Sequence, residues 1–241
     1  MNSVDSTNNY ALALIKEKEL ADGTLIWAHN QLNGRGQRDA KWFAKEGTSL
    51  TASFVLHPSL TIEDLYYLTK MTVLAVADMV NGLLADKSFR VDIKWPNDVM
   101  LGHKKMGGIL IENVLRGSLI KTSVIGIGLN IFNQVFPDEA GLAGCIEAFT
   151  PIDCSLRDCM VTLCECLEVR YLQLKAKRYE DLDRHYFGQL YAYHQWAQYQ
   201  TDEKIVGFSE GVTKEGKLIL KHDTGERHLY EVKEIKLLNL L

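Results

Sequence analysis

The pattern of apolar and polar positions changes along the chain and predicts which segments form helices and which form strands. Apolar residues recur at helical spacing from Asn8 to Leu20, after the capping stretch Asp5-Ser6-Thr7. A longer helix is predicted from Thr61, where Asp64 would complete a capping box, to about residue 85. Between these helices, the segments 25–28 and 48–57 have the composition of strands.

The middle and the end of the chain are predicted to be rich in strands. The β-rich runs 91–100, 106–114 and 118–131 are separated by Gly102-His103 and Arg116-Gly117, which are typical of tight hairpin turns. A mostly helical stretch follows, from Pro151 to about Tyr186. From residue 192 onward, short alternating segments separated by glycine turns predict a small antiparallel barrel of about 50 residues. The pattern therefore predicts an α+β fold, with one domain at 1–190 and a β appendage at 191–241.

Composition and charge narrow the class of protein. The 241 residues are 46% hydrophobic and 24% charged, as in ordinary globular proteins. A net charge of −4 argues against nucleic-acid binding as the main role, because a protein needs a basic face to neutralise phosphates. No apolar run approaches the ~20 residues that span a bilayer, and the first residues lack the layout of a signal peptide. We therefore expect a cytoplasmic protein with neither nucleic-acid nor membrane partners.

The cysteines do not form a metal-binding pattern. Cys154, Cys159, Cys164 and Cys166 cluster in a stretch that is predicted to be helical, and no CxxC pair is present. Reduced, partly buried thiols are the preferred interpretation, and the function of this cluster stays open.

The most informative segment is the loop Gly34-Arg35-Gly36-Gln37-Arg38-Asp39-Ala40-Lys41-Trp42. Its glycines let backbone N–H groups approach an anion closely. Its cations add charge, and arginine can bind a phosphate or carboxylate through two parallel hydrogen bonds. Trp42 offers a flat apolar face on which a ring could stack. A plain surface turn would explain the loop equally well, so the loop alone does not establish a function.

Three further segments place polar groups at breaks in the predicted strands. In Lys94-Trp95-Pro96-Asn97-Asp98, a proline interrupts a strand just before an amide and a carboxylate. Lys105 begins a strand whose paired glycines, Gly107-Gly108, permit close approach to the backbone. The segment 125–130 alternates apolar residues with glycine and ends in Asn130. Strand packing or a solvated charge would explain each segment on its own.

In this order, the segments closely resemble the motifs of the biotin–protein ligase family, and the resemblance covers essentially the whole chain. The matching motifs are Ser6-Thr7-Asn8, the GRG loop at 34–42, KWPND at 94–98, K-x-[GA]-G-I-L at 105–110 and GxGxN at 126–130. The resemblance implies the mixed α/β catalytic fold shared with class II aminoacyl-tRNA synthetases, followed by an SH3-like barrel. Some relatives carry an N-terminal DNA-binding domain. Because only five residues precede Ser6, we expect the monofunctional type and no transcriptional role.

The resemblance implies a reaction in two steps. The carboxylate of biotin attacks the α-phosphate of Mg-ATP to give biotinyl-5′-AMP and pyrophosphate. A lysine of a biotin carboxyl carrier protein then attacks the adenylate. Because a carboxylate and a phosphate repel each other, cations must bridge them, and Arg35 and Lys105 are assigned to this bridge. Asp98 is assigned to Mg²⁺, with a second role in orienting or deprotonating the acceptor lysine.

The remaining site residues follow from the same resemblance. The biotin-binding residues would be Ser6, Thr7, Asn8, Gln31, Gly34, Arg35, Gly36, Gln37, Lys105 and Gly107. The ATP-binding residues would be Arg38, Trp42, Asn97 and Asn130, with Trp42 stacking on adenine. The family also leads us to expect a monomer or a homodimer.

Two alternative functions are weighed against this one. A lipoate or octanoate ligase would use the same scaffold and a similar lysine, but the KWPND and GRG segments favour biotin. A non-catalytic module that binds biotin or a nucleotide is disfavoured because Arg35, Asp98 and Lys105 are all present. A purely structural role for the glycines is a still weaker interpretation once the motifs are considered together.

The chain departs from many relatives at Gln37, where they carry a second arginine and the loop reads GRGR. In the family this position helps to retain the reactive adenylate. Glutamine can donate a hydrogen bond but carries no charge, so we predict that this chain releases more of the intermediate. The measurement is biotin labelling of bystander lysines on an added protein, compared with a GRGR relative. Labelling no greater than by that relative would count against the prediction.

Overall fold

The computed structural model describes residues 1–37, 40–132 and 135–241. The helices α1 to α4 span, in chain order, Thr7–Glu17, Tyr66–Leu83, Leu156–Lys175 and Tyr179–Gln189. The strands β1 to β13 span Ser3–Val4, Thr24–Ala28, Asn30–Gln31, Ser49–Leu56, Val91–Lys94, Asp98–Leu101, Lys104–Arg116, Leu119–Asn130, Trp196–Gln200, Lys204–Val212, Leu218–His222, Arg227–Tyr230 and Lys236–Leu240. Within these ranges, no helix combines the length and the apolar character that a membrane crossing requires.

A six-stranded antiparallel sheet forms the centre of the fold, in the order β2-β4-β8-β7-β6-β5. Strand β4 is buried along its whole length because both of its faces are covered. Side chains alternate between the two faces of a strand. Val55 therefore joins a small cluster with Ala11 of α1, while Phe54 and Leu56 join the main core with residues of α2 and α3.

The structure confirms the predicted helices but shifts their ends. Helix α1 starts after Ser6, whose side chain accepts a hydrogen bond from the Asn9 N–H, and it ends at Glu17 rather than near residue 20. The Thr61 hydroxyl lies 3.4 Å from the Asp64 carboxylate, but the segment Ile62–Asp64 is a 3₁₀ turn that precedes α2. The helical stretch after residue 151 is two helices, separated near Lys177, which has φ of +53°.

Pro96 interrupts the β-rich run 91–100, as the sequence predicted. The chain forms two antiparallel strands, β5 and β6, joined by a tight turn that contains the cis peptide Trp95–Pro96. Proline has no N–H to donate to a sheet, so a strand cannot continue through it. The turn places Asn97 just before β6, and Asp98 is the first residue of that strand, paired with Lys94 on one side and Gly108 on the other.

The C-terminal segment forms a five-stranded antiparallel sheet in the order β12-β11-β10-β9-β13, which agrees with the predicted β appendage. Its residues Ala197 and Leu220 belong to the same buried cluster as Val91 and Ile93 of the central sheet. The two sheets therefore share one hydrophobic core. The domain boundary at residue 190 stays a prediction.

The five cysteines are all free. Cys154 and Cys159 lie 3.4 Å apart at their sulfur atoms, and burial raises the pKa of the Cys159 thiol to about 12. In the part of the chain that the structure describes, no cluster of three His, Cys, Asp or Glu side chains could hold a metal ion.

The side chain of Lys70 is a charged group inside the core. Lys70 of α2 is 2% exposed, and its ammonium group lies 2.5 Å from the carboxylate of Asp183 on α4. It also lies 4.7 Å from the centre of the Tyr67 ring and 5.5 Å from that of Tyr186. Burial lowers the pKa of Lys70, while Asp183 raises it. This ion pair ties α2 to α4.

The two partners of this ion pair should respond unequally to substitution. Asp183→Asn leaves a buried ammonium group without a counter-charge, and we expect the free energy of unfolding to fall by about 3 kcal/mol or more. Lys70→Met leaves a carboxylate that is 31% exposed and that water can solvate, so its cost should be clearly smaller. Urea unfolding of both variants measures the difference. A larger cost for Lys70→Met would contradict this account.

Candidate functional site

A cavity of about 490 Å³ opens where the central sheet, the loop at 34–42 and the C-terminal sheet meet. Its size suits a small molecule. Of the residues predicted for the site, the following line the cavity: Ser6, Thr7, Asn8, Gln31, Arg35, Gly36, Gln37, Trp42, Asn97, Asp98 and Lys105. Among the described residues, Gly34, Gly107 and Asn130 do not line it. Arg38 lies outside the described residues.

The described parts of the loop, residues 34–37 and 40–42, lie side by side and are joined by backbone hydrogen bonds. The Trp42 N–H donates to the Gly34 carbonyl at 2.9 Å, and the Gly36 N–H donates to the Ala40 carbonyl at 2.6 Å. A Cβ on Gly34 would lie 2.6 Å from the Trp42 carbonyl oxygen. Glycine is therefore required at position 34 because these two parts of the loop approach each other closely.

The alternating glycines of β8 make room for side chains from the other motifs. A Cβ on Gly126 would lie 2.4 Å from the Asn8 amide oxygen, and a Cβ on Gly128 would lie 2.4 Å from a carbon of the Trp42 ring. The indole also reaches Gly108 on the neighbouring strand. The indole N–H of Trp42 is buried without an acceptor among the described residues. These glycines thus determine where the Trp42 ring can lie.

The start of α1 contributes a connected set of polar groups. The backbone N–H and hydroxyl of Thr7 donate to the Gln31 amide oxygen, at 2.7 and 3.1 Å. The Ser53 hydroxyl lies 2.6 Å from the Asn8 amide oxygen and 2.8 Å from the Thr7 hydroxyl. This network fixes the orientation of several hydrogen-bonding groups in the cavity wall, as a small polar ligand group requires.

Arg35 is held by a carboxylate that the sequence did not reveal as part of the site. Its guanidinium group forms two contacts with Glu112 of β7, at 3.2 and 3.3 Å, and donates to the Asn9 amide oxygen at 2.6 Å. Glu112 also accepts a hydrogen bond from Asn8 at 2.9 Å. The only sequence indication was an acidic residue within the apolar run of that strand.

Lys105 and Asp98 form a second ion pair in the cavity. The ammonium nitrogen lies 2.6 Å from the carboxylate oxygen and 6.0 Å from the centre of the Trp42 ring. The hairpin of β6 and β7 brings the two residues together, with a register shift between Val99 and Met100. The predicted catalytic lysine and the predicted metal ligand are therefore direct neighbours.

Three predicted contact residues have other partners in the structure. The Asn97 side chain donates to the Ile109 carbonyl at 2.5 Å, although it also lines the cavity. The buried Asn130 amide accepts from Ser49 and donates to the Gly144 carbonyl. A Cβ on Gly107 would lie 3.0 Å from the backbone of β8. The roles assigned to Asn130 and Gly107 stay predictions, and the geometry gives both residues a structural role.

The cavity is strongly cationic although the chain as a whole is acidic. Among the described residues, its lining contains the cations Arg35, Lys41, Lys94, Lys105, Lys233 and Lys236 but a single carboxylate, Asp98. Burial lowers the pKa of Lys94, Asp98 raises it, and Lys236 and Lys105 lower it further. Sequence reasoning did not assign Lys94, Lys233 or Lys236 to the site. The last two lie far along the chain and reach the cavity only through the tertiary fold.

This cationic cavity, with aromatic side chains in its wall, defines a binding site for an anionic small molecule that carries a ring. Residues 1–130 match the model of the biotin/lipoate A/B protein ligase family, and the chain belongs to that family.

Curated relatives support the assignment. The chain is 30% identical to the bifunctional ligase/repressor BirA of Escherichia coli over 231 residues, which cover 91% of this chain and 68% of that protein. It is 36% identical to BirA of Bacillus spizizenii over 120 residues, which cover 49% of this chain but only 36% of that protein. Over 143 residues it is 35% identical to the biotin–[acetyl-CoA-carboxylase] ligase of Paracoccus denitrificans, covering 59% of this chain and 55% of that enzyme.

Solved structures confirm the predicted mixed α/β fold. The biotin protein ligase from Aquifex aeolicus in complex with biotin and ATP superposes with a TM-score of 0.79 at 24% identity. The superposition covers 99% of this chain and 97% of that chain. The likeness therefore includes the C-terminal sheet as well as the central one.

The contact between Trp42 and Gly128 can be tested by a double-mutant cycle. Gly128→Ala would place a methyl group against the indole, and we expect the free energy of unfolding to fall by about 1–3 kcal/mol. In a Trp42→Ala background the same substitution should cost much less, because the nearest atoms to this Cβ all belong to Trp42. Guanidinium unfolding of the single and double variants measures the coupling. Equal costs in both backgrounds would contradict the contact.

Proposed function

We propose that this chain is an ATP-dependent biotin–protein ligase that modifies a lysine of a biotin carboxyl carrier protein in the cytoplasm. The observation that carries the proposal is the convergence of the separate sequence motifs on one cation-lined cavity. The Paracoccus denitrificans relative is named a biotin–[acetyl-CoA-carboxylase] ligase, and the Aquifex aeolicus protein was solved with biotin and ATP. Both support biotin as the acid and ATP as the activating nucleotide.

In the first step, a carboxylate oxygen of biotin attacks the α-phosphorus of ATP and pyrophosphate leaves. Two anionic groups must approach each other, so nearby cations lower the barrier. Lys105 pairs with Asp98 in the cavity wall, and Arg35 pairs with Glu112, which does not line the cavity. Both pairs are partly exposed, so each cation can exchange its carboxylate for a substrate oxygen at low cost.

Magnesium would enter with ATP as part of the substrate. Mg²⁺ is usually held by one or two carboxylates together with phosphate oxygens and water. Asp98 is the one carboxylate of the cavity lining within the described ranges, so the site fits a metal held mainly by the phosphates. Asp98 would supply the protein ligand after its contact with Lys105 opens.

In the second step, the ε-amine of the acceptor lysine attacks the carbonyl carbon of the adenylate. The new carbon–nitrogen bond forms as the bond to the phosphate oxygen breaks, and AMP leaves. The amine must lose a proton in this step. Asp98 lines the cavity, and its carboxylate would orient the amine or accept that proton.

Pyrophosphate exchange into Mg-ATP tests the proposal, with biotin, lipoate and octanoate supplied in parallel. Exchange that depends on biotin alone would support both the adenylation step and its substrate. Exchange with lipoate or octanoate would transfer the chain to the sister activity of the same family. The absence of exchange with all three acids would overturn the ligase proposal and favour a binding module.

Lys105→Ala should reduce biotin-dependent exchange by about 10²–10³-fold, because the substitution removes one of the charges that bridge carboxylate and phosphate. Lys104→Ala is the matched control, since this neighbouring lysine is exposed and does not line the cavity. We expect near-normal exchange from the control. Near-normal exchange from Lys105→Ala would remove Lys105 from the bridge.

A further inference from the structure

One wall of the cavity comes from the far end of the chain. Lys233 and Lys236 lie at the corner that leads into β13, and both line the cavity. This corner, residues 231–236, is a tight turn. The Glu234 N–H donates to the Glu231 carbonyl at 3.1 Å, and Lys233 has φ of +78°. Ile235 is buried beneath it and anchors the corner in the core.

The corner adds two lysines to a lining that already contains more cations than carboxylates, while its glutamates, Glu231 and Glu234, do not line the cavity. Lys94 and Lys105 belong to the central sheet, and Lys236 lies near enough to affect the protonation of Lys94. The one carboxylate of the described lining, Asp98, lies 2.6 Å from Lys105. Like charges that share one cavity repel each other, and a ligand with several negative charges would offset that repulsion.

We propose that Lys233 and Lys236 bind the β- and γ-phosphates of ATP, and the pyrophosphate that leaves, and that Trp95 positions them. This inference rests on the proposed function. The bridge between biotin and the α-phosphate occupies Arg35 and Lys105. The remaining phosphates carry most of the charge of the nucleotide, and the C-terminal corner supplies cations from a separate wall of the cavity.

Trp95 connects the central sheet to the sheet that carries these lysines. Its indole N–H donates to the carbonyl of Gly216, in the turn between β10 and β11, at 2.9 Å. Gly216 has φ of +97°, and a Cβ there would lie 2.5 Å from the Tyr66 ring. The Tyr66 hydroxyl donates in turn to the Pro96 carbonyl at 3.0 Å. The turn at 213–217 is therefore clamped against the turn at 95–97.

Two ion pairs connect the turn at 213–217 to its neighbours, one to the corner at 231–236 and one to the 3₁₀ turn before α2. Lys217, at the end of the clamped turn, pairs with Glu231 at 2.8 Å, and Glu231 begins the corner that carries Lys233. Lys214, at the start of the same turn, pairs with Asp64 at 2.7 Å. A continuous chain of contacts thus runs from the indole N–H of Trp95 to the proposed phosphate-binding lysines.

The lysines are tested with the double variant Lys233→Ala/Lys236→Ala. Isothermal titration with ATP, inorganic pyrophosphate, AMP and biotin should show weaker binding of ATP and pyrophosphate, by about tenfold or more. The dissociation constants of AMP and biotin should stay within about twofold. Lys204→Ala/Lys221→Ala is the matched control, because it removes the same charge from exposed positions of the same sheet that do not line the cavity.

Several results would overturn the inference. One is an equal weakening of AMP binding and ATP binding. That result would mean that the substitutions act through a general loss of positive charge or of folded structure. Another is unchanged binding of ATP and pyrophosphate, and a third is a wild-type protein that binds neither. Because these are binding measurements, they stand apart from the exchange assay. If the double variant exchanges pyrophosphate as well as the wild type does, the proposed role of the two lysines is refuted. The ligase proposal would stand in that case.

Trp95→Phe removes the indole N–H but keeps an aromatic ring in the cavity wall. We expect the KM for pyrophosphate in the exchange reaction to rise about threefold to tenfold, with kcat and biotin affinity nearly unchanged. In the Lys233→Ala/Lys236→Ala background the same substitution should have little further effect. Trp196→Phe, at an exposed position outside the cavity lining, is the control. An undiminished effect of Trp95→Phe in the lysine-deficient background would overturn its positioning role.

Discussion

Repulsion among cations that share one cavity is the constraint on which the arrangement of the site depends. Arginine and lysines from three parts of the chain meet there. Glu112 pairs with Arg35, and Asp98 pairs with Lys105. Ion pairs this accessible to water contribute only about 0–1 kcal/mol. They offset part of the positive charge without competing strongly with a highly charged substrate.

A second constraint is the space that the central sheet leaves for loops from elsewhere. Gly126 and Gly128 are two residues apart on β8, so they share one face of the sheet. On that face, Asn8 arrives from the first helix and Trp42 arrives from the glycine loop. The start of α1, the glycine loop and β8, which are far apart in the sequence, therefore pack against one another on this face. Their spacing in the sequence reflects steric fit as much as ligand chemistry.

The sequence predicted the order of helices and strands, because each depends on local periodicity and on capping or turn residues. It also predicted which motifs would meet, but only through the resemblance to a family. It did not predict Glu112, Lys233 or Lys236, because their place in the site depends on contacts between distant segments. Asn130 is a different case: the structure gives its amide a partner at the Gly144 carbonyl, and its assignment to ligand binding stays a prediction.

The cavity takes its wall from Ser6 near one end of the chain and from Leu237 near the other. During synthesis, the glycine loop and the central sheet leave the ribosome long before the corner at 231–236. Until the corner at 231–236 has been made, one wall of the cavity and part of the shared hydrophobic core are missing. A chain cut before that corner would therefore have an open basin where this fold has a cavity.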